Sequence, residues 1–163
     1  MKITLDTNVL PADELLSDCR RLGWDVAVIS VTSRELHDTS LEVSLSTLHE
    51  VPEIFVWDES TWGQAVWASA QCVSQLQETL EVISGGTFPR DHSNLTSGHR
   101  RQLRDAMILE AHLRDRRDVF VTEDRRAFIL QGRREQLQSR FGTRIMTKSE
   151  FSAYCSSIAT TPE

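Results

Sequence analysis

Five short runs of apolar, β-branched or aromatic residues recur along this chain, and helical spacing fills the intervals between them. The runs fall at 3–5, 26–30, 54–57, 119–122 and 144–146. They are too short for helices and rich in side chains that pack well on a pleated surface. Helices are expected at 12–22, closed by Gly23; at 32–38; at 62–83, ended by Gly85 and Gly86; at 98–114; at 124–140, interrupted near Gly132; and at 147–158. Strands separated by helices of this length cannot be joined as hairpins, so they pair in parallel and the helices cover the sheet. The expected fold class is α/β with a short parallel sheet.

The chain has 163 residues with 39% hydrophobic content, which fits one domain able to bury most of its unfolded surface. That domain is expected over 1–159, with 160–163 a frayed tail. The segment 84–97, with Gly85, Gly86, Pro89 and Asn94, reads as the longest loop. Cys19, Cys72 and Cys155 are odd in number and widely spaced, so they encode neither a disulfide framework nor a zinc finger. The opening Met1-Lys2-Ile3-Thr4-Leu5-Asp6 turns acidic too early for a secretory signal, and no apolar run approaches the ~18 residues of a membrane span. A cytoplasmic protein with no membrane partner is the expectation.

Net charge is −6, but it is unevenly divided. Residues 1–89 carry 4 basic and 14 acidic side chains, or −10; residues 90–163 carry 14 basic and 10 acidic, or +4. Thirteen of those later bases are arginines, whose planar fork suits phosphate. Pairing with neighbours such as Asp115, Asp118 and Glu135 on solvated helix faces is the alternative use for them.

Two carboxylates terminate strand-like runs: Asp6 after Ile3-Thr4-Leu5, and Asp124 soon after Val119-Phe120-Val121. Acids at the carboxyl ends of parallel strands stand at the crevice where such sheets bind ligands, and they suggest a metal site. Helix capping is the competing role for both, as for Thr7 and Asn8. Glu35 closes the capping-box pattern Thr32-Ser33-Arg34-Glu35, and Glu150 closes the same pattern from Thr147, so spacing cannot separate them. Asp105 lies on a helical stripe with Arg101, Ile108 and His112, where an exposed pair with Arg101 would account for it. The five histidines show no i, i+4 metal pair and no nucleophile elbow accompanies them, so ordinary surface histidines are expected. Trp57, Trp62 and Trp67 suit either base stacking or a core or interface role.

Taken in order, Leu5-Asp6-Thr7-Asn8, Glu35 after the second strand, Arg104-Asp105-Ala106 with Ile108, and Val121-Thr122 with Asp124 resemble the PIN-domain nucleases over nearly the whole chain. The middle, from Trp62 to Ser97, is longer than in the small toxin members. The resemblance implies a three-layer α/β/α sandwich with strand order 3-2-1-4-5, which sets the first and fourth strands side by side. It also implies that Glu35 belongs to the site, whereas Glu150 has no counterpart and stays a cap. Asn8 and Thr122 match supporting residues beside the first and last acids.

Four carboxylates in one pocket raise one another's pKa unless a cation compensates, and oxygen-only ligands favour Mg²⁺ or Mn²⁺. The expected activity is metal-dependent endoribonucleolysis, with the toxin of a toxin–antitoxin pair as its most specific version. Asp6, Asp105 and Asp124 would be the principal ligands, Glu35 a ligand or an orienter of the attacking water, and Arg100, Arg101, Arg104, Arg125 and Arg126 the phosphate contacts. RNA rather than DNA follows from the resemblance alone. A structure-specific DNA nuclease of the same fold, and a PIN-like scaffold that binds nucleic acid or protein without cleaving, are the other readings. Expected partners are an RNA substrate, an antitoxin protein and a second copy of the chain.

Overall fold

The computed structural model describes residues 1–60 and 65–159. Its centre is a five-stranded, wholly parallel sheet made of β1 (Lys2–Leu5), β2 (Asp25–Ile29), β3 (His49–Val51), β6 (Val119–Val121) and β7 (Arg144–Met146). The strand order is β3-β2-β1-β6-β7. It differs in detail from the expected 3-2-1-4-5, because β4 (Glu53–Ile54) and β5 (Ala65–Val66) intervene in the chain and pair only with each other.

Alternation along each strand sends side chains to opposite faces, and two cores follow from it. Ala27, Ile29, Phe120 and Ile145 pack on one face against α4 (Ala70–Ser84), α5 (Ser97–Arg114) and Leu137 of α6 (Arg133–Phe141). Ile3, Leu5, Val28, Val119 and Val121 pack on the other against α1 (Asp13–Arg21) and α7 (Lys148–Ala159). Helices therefore flank both faces of the sheet. The remaining helices are short, α2 (Ser30–Glu35) directly after β2 and α3 (Glu42–Leu45) before β3.

Three expected elements shift. The third strand of the sheet is β3 at 49–51, and the apolar run 54–57 instead begins the separate two-stranded ribbon. An edge strand is covered on one side only, and β3 exposes His49 and Glu50, so its sequence lacks the apolar signature. The helix expected from Trp62 begins at Ala70, where Ser69 caps it by accepting from the Cys72 amide. Trp62 itself and the tail 160–163 lie outside the described residues. The second helix spans Ser30–Glu35 rather than 32–38, and Asp38 beyond it takes a left-handed φ of 62°.

At the amino ends of the strands, Arg117 acts as a buried fastener. Its guanidinium donates to the Ile3 and Asp25 carbonyls and pairs with the Asp25 and Asp115 carboxylates, tying β1 to β2. His112 corrects the surface reading of the histidines. It is fully buried, hydrogen-bonded to Thr4 Oγ1 at 2.9 Å and Thr143 Oγ1 at 2.6 Å, and burial holds its pKa down at about 3.

Phe120 is fully buried in β6 and packs edge-on against Phe128, with ring centroids 5.0 Å apart. Truncation to alanine is expected to cost about 3–5 kcal/mol in urea denaturation. Trp67→Ala, at a side chain 80% exposed, should stay within about 0.5 kcal/mol of wild type in the same measurement.

Candidate functional site

The chain builds β2 and β3 on one side of β1 and β6 and β7 on the other, so the order reverses between β1 and β6. Leu5 is in register with Val121, and the Asp6 amide donates to the Val121 carbonyl at 3.0 Å. The residues that follow the two strands, Asp6 and Thr122, are thereby neighbours at the carboxyl end of the sheet.

Asp6 is nearly buried and fully engaged. Its Oδ1 accepts from the Thr7 amide at 2.8 Å, and its Oδ2 accepts from the Asn8 side-chain amide at 2.9 Å and from Thr122 Oγ1 at 2.6 Å. Asp6 also caps the single turn at Thr7–Val9, so the capping role and the site position coincide. Asn8 spans the gap, accepting from the Glu123 amide at 2.7 Å. Thr122 accepts in turn from the Asp124 amide at 2.9 Å, which fixes the start of the turn carrying Asp124. Asp124 caps that turn through the Ala127 amide and offers its other oxygen to Arg101 at 3.2 Å.

Glu35 and Glu150 part company here. Glu150 completes the expected capping box, with Thr147 N donating to its Oε2 at 2.8 Å and its own amide donating to Thr147 Oγ1. Thr32 instead lies inside α2, whose start has no side-chain cap, and Glu35 Oε2 accepts from Thr7 Oγ1 at 2.8 Å, beyond the end of β1. The glutamate is thus directed toward the residues that follow β1.

Asp105 joins this group from α5. Burial raises its carboxyl to about 8, and the charges of Asp6, Asp124 and Glu35 push in the same direction while Arg101 opposes them. Asp6 is raised to about 6, chiefly by burial, against the lowering effect of its Thr122, Thr7 and Asn8 hydrogen bonds. The four acids therefore share one electrostatic environment. Among the described residues, however, three ligand atoms lie within 4.8 Å of one another only at the exposed His37, Asp38 and Glu42, and not among these four. A carboxylate set with hydroxyl and amide support suits a hard divalent cation, and Mg²⁺ in particular keeps waters between itself and some of its ligands.

A cavity of about 430 Å³ opens beside the acids, lined by Asp105, Asp124, Arg101, Arg126, Arg133 and His99 among others. Arg101 and Arg126 are thus where the sequence reading wants them, and Arg125 is exposed on the neighbouring turn. Arg100 and Arg104 are not free phosphate contacts. Both are drawn to the buried carboxylate of Glu59, at 2.6 and 2.9 Å. The sequence reading left His99 and Arg133 out of the site. His99, grouped with the surface histidines in sequence, completes the capping box of α5 by accepting from the Thr96 amide, while Arg133 follows the break at Gly132.

The raised carboxyls carry a signed pH dependence. A group whose folded pKa lies above its unfolded value supports the fold fully below the unfolded value and loses that support as pH rises through the folded one. For Asp105 this window runs from the ordinary 3.8 up to about 8. In metal-free buffer Asp105→Asn should melt roughly 3–8 °C above wild type at pH 8.5, and the gap should close toward pH 4. Calorimetric melting across that range checks it, and a gap that does not change with pH would show that the Asp105 carboxyl is not raised in the folded protein.

Comparison of the chain with protein-family models, with curated proteins and with solved structures returned no match.

Proposed function

We propose that this protein is a PIN-like, Mg²⁺- or Mn²⁺-dependent endoribonuclease, with the toxin of a toxin–antitoxin pair as the specific version of that role. The observation that carries the reading is the convergence of Asp6, Glu35, Asp105 and Asp124. They come from four separate segments and meet in one electrostatic cluster beside an arginine-lined cavity. The choice of RNA and the antitoxin rest on the resemblance described above, a homodimer on tryptophans suited to an interface, and a cytoplasmic setting on cysteines that encode no disulfide framework. Among the described residues no helix is long and apolar enough to cross a membrane.

In this reading Asp6, Asp105 and Asp124 hold the cation, directly or through water. A bound divalent ion supplies charge neutralisation at the phosphate and eases deprotonation of water at neutral pH. Thr122 and Asn8 keep the Asp6 oxygens fixed, so the ligand does not turn away when substrate arrives. Glu35, held by Thr7, orients the attacking water. Arg101, Arg126 and Arg133 take the phosphate oxygens, and Arg101 leaves Asp124 when it does so. Water adds to phosphorus in line with the departing sugar oxygen, and the phosphodiester is hydrolysed.

One observation favours the non-catalytic scaffold reading. The four acids stand wider than a ligand set in which three carboxylates touch one ion, and Arg101 already neutralises Asp124. Cleavage of labelled single-stranded RNA with Mn²⁺ separates the readings. Asp6→Asn and Asp124→Asn are each expected to lower the rate by more than ~100-fold. Matched DNA should be cut more slowly than RNA, and DNA cut preferentially would favour the DNA-nuclease reading. RNA bound but left intact by wild type would favour the scaffold, and equal cleavage by wild type and variants would remove the assignment.

A further inference from the structure

Lys148, the first residue of α7, reaches both loops that lead away from β1 and β6. Its backbone amide donates to Glu123 Oε1 at 2.7 Å, and its Nζ donates to the Val9 carbonyl at 3.1 Å and the Pro11 carbonyl at 2.7 Å. Glu123 stands between Thr122 and Asp124, and Val9 follows Asn8 on the turn beyond Asp6. One half-buried residue therefore ties the segment after β6 to the segment after β1. The ammonium suits this task, since its flexible stem carries three donors and charge strengthens each hydrogen bond to a carbonyl.

The tie continues inward to a carboxylate of the site. The Glu123 amide donates to Asn8 Oδ1 at 2.7 Å, and Asn8 Nδ2 donates to Asp6 Oδ2 at 2.9 Å. Lys148 holds the Glu123 carboxylate with its amide and the 9–11 turn with its ammonium, so Asn8 is gripped between the two. The oxygen and nitrogen of a side-chain amide have a fixed separation. A shift of Glu123 against the turn therefore makes Asn8 give up good geometry at one of its two bonds. The sheet cannot prevent that shift, because the β1–β6 pairing ends at Leu5 and Val121, before either loop begins.

We infer that Lys148 is a positioning residue for the cation site, clasping the loops after β1 and β6 so that Asp6 keeps its place relative to Asp124, with Glu123 and Asn8 transmitting the hold. The inference rests on the cation reading of the site, but on neither RNA nor cleavage. Charge alone argues for the opposite effect. A lysine on the flank of an acidic cluster repels a divalent ion, so electrostatics would tighten metal binding when it is removed, whereas lost alignment of the ligand weakens it. The sign of the change separates the two.

Mn²⁺ binding followed by electron paramagnetic resonance, restricted to the sites that wild type has and Asp6→Asn lacks, tests the clasp. Lys148→Met and Glu123→Ala should each weaken that binding roughly 10-fold. Lys148→Arg can still donate to both carbonyls and Glu123→Gln can still accept from the Lys148 amide, so both should stay within about threefold of wild type. Unchanged or tighter binding in Lys148→Met would overturn the clasp. Glu123→Gln falling as far as Glu123→Ala would overturn the transmission through Glu123 and make that carboxylate a ligand of the ion. Amide hydrogen exchange in metal-free buffer gives a reading that needs no cation. In Lys148→Met the Glu123 amide should exchange roughly 10-fold faster, with the Phe120 amide inside β6 unchanged. Equal acceleration of both would mean a general loss of stability and overturn the assignment. Selective acceleration at Glu123 in a protein whose wild type binds no Mn²⁺ would keep the clasp and reject the cation site.

Discussion

Parallel pairing of β1 with β6 is the constraint on which the rest of the site depends. Residues more than a hundred positions apart in sequence are set in register there, Leu5 against Val121, and the next residue on each strand, Asp6 and Thr122, must meet. Leu5 and Val121 have no exposed surface, so slipping the register would cost buried area on both faces. The hydroxyl of Thr122 joins the two segments, donating to Asp6 while accepting from the Asp124 amide. A sheet contact fixed by apolar packing thus sets the geometry of polar groups that could not have organised themselves.

Gathering carboxylates in this way opposes stability. Burial and mutual repulsion raise Asp105 to about 8 and Asp6 to about 6, and Arg101, which is ion-paired with Asp124, offsets part of this at Asp105. Two other buried glutamates are compensated more fully. Glu53 is buried but accepts from Ser30 and is paired with Arg34, and Glu59 is matched by two arginines. Uncompensated like charge is concentrated at the carboxyl end of the sheet, where parallel α/β folds place ligand sites.

Much of this was legible in the sequence, but unevenly. Asp6 and Asp124 were visible because each follows an apolar run that can only be a buried strand. The break at Gly132 appears as expected, a wide turn over Arg125–Ile129 followed by a separate helix. Glu35 and Glu150 share one local pattern, and only the tertiary position of Thr7 separates them. The edge strand β3 was missed because its exposed residues are polar, and Ile54, which looked like its core, belongs to the ribbon beside it. That displacement also hid Glu59, whose partners lie 41 and 45 residues away, so Arg100 and Arg104 looked free. His112 gave no warning of burial, because its two hydroxyl partners, Thr4 and Thr143, come from other parts of the chain.

The central claim is that four acids brought together by the sheet form one site for a divalent cation. The most direct measurement is anomalous diffraction from a crystal of the wild-type protein soaked in Mn²⁺. A peak among Asp6, Asp105 and Asp124 beside the carboxyl ends of β1 and β6, with Glu35 within reach through water, is the predicted result. Manganese bound only at the exposed His37, Asp38 and Glu42, or at neither place in a fully soaked crystal, would contradict it.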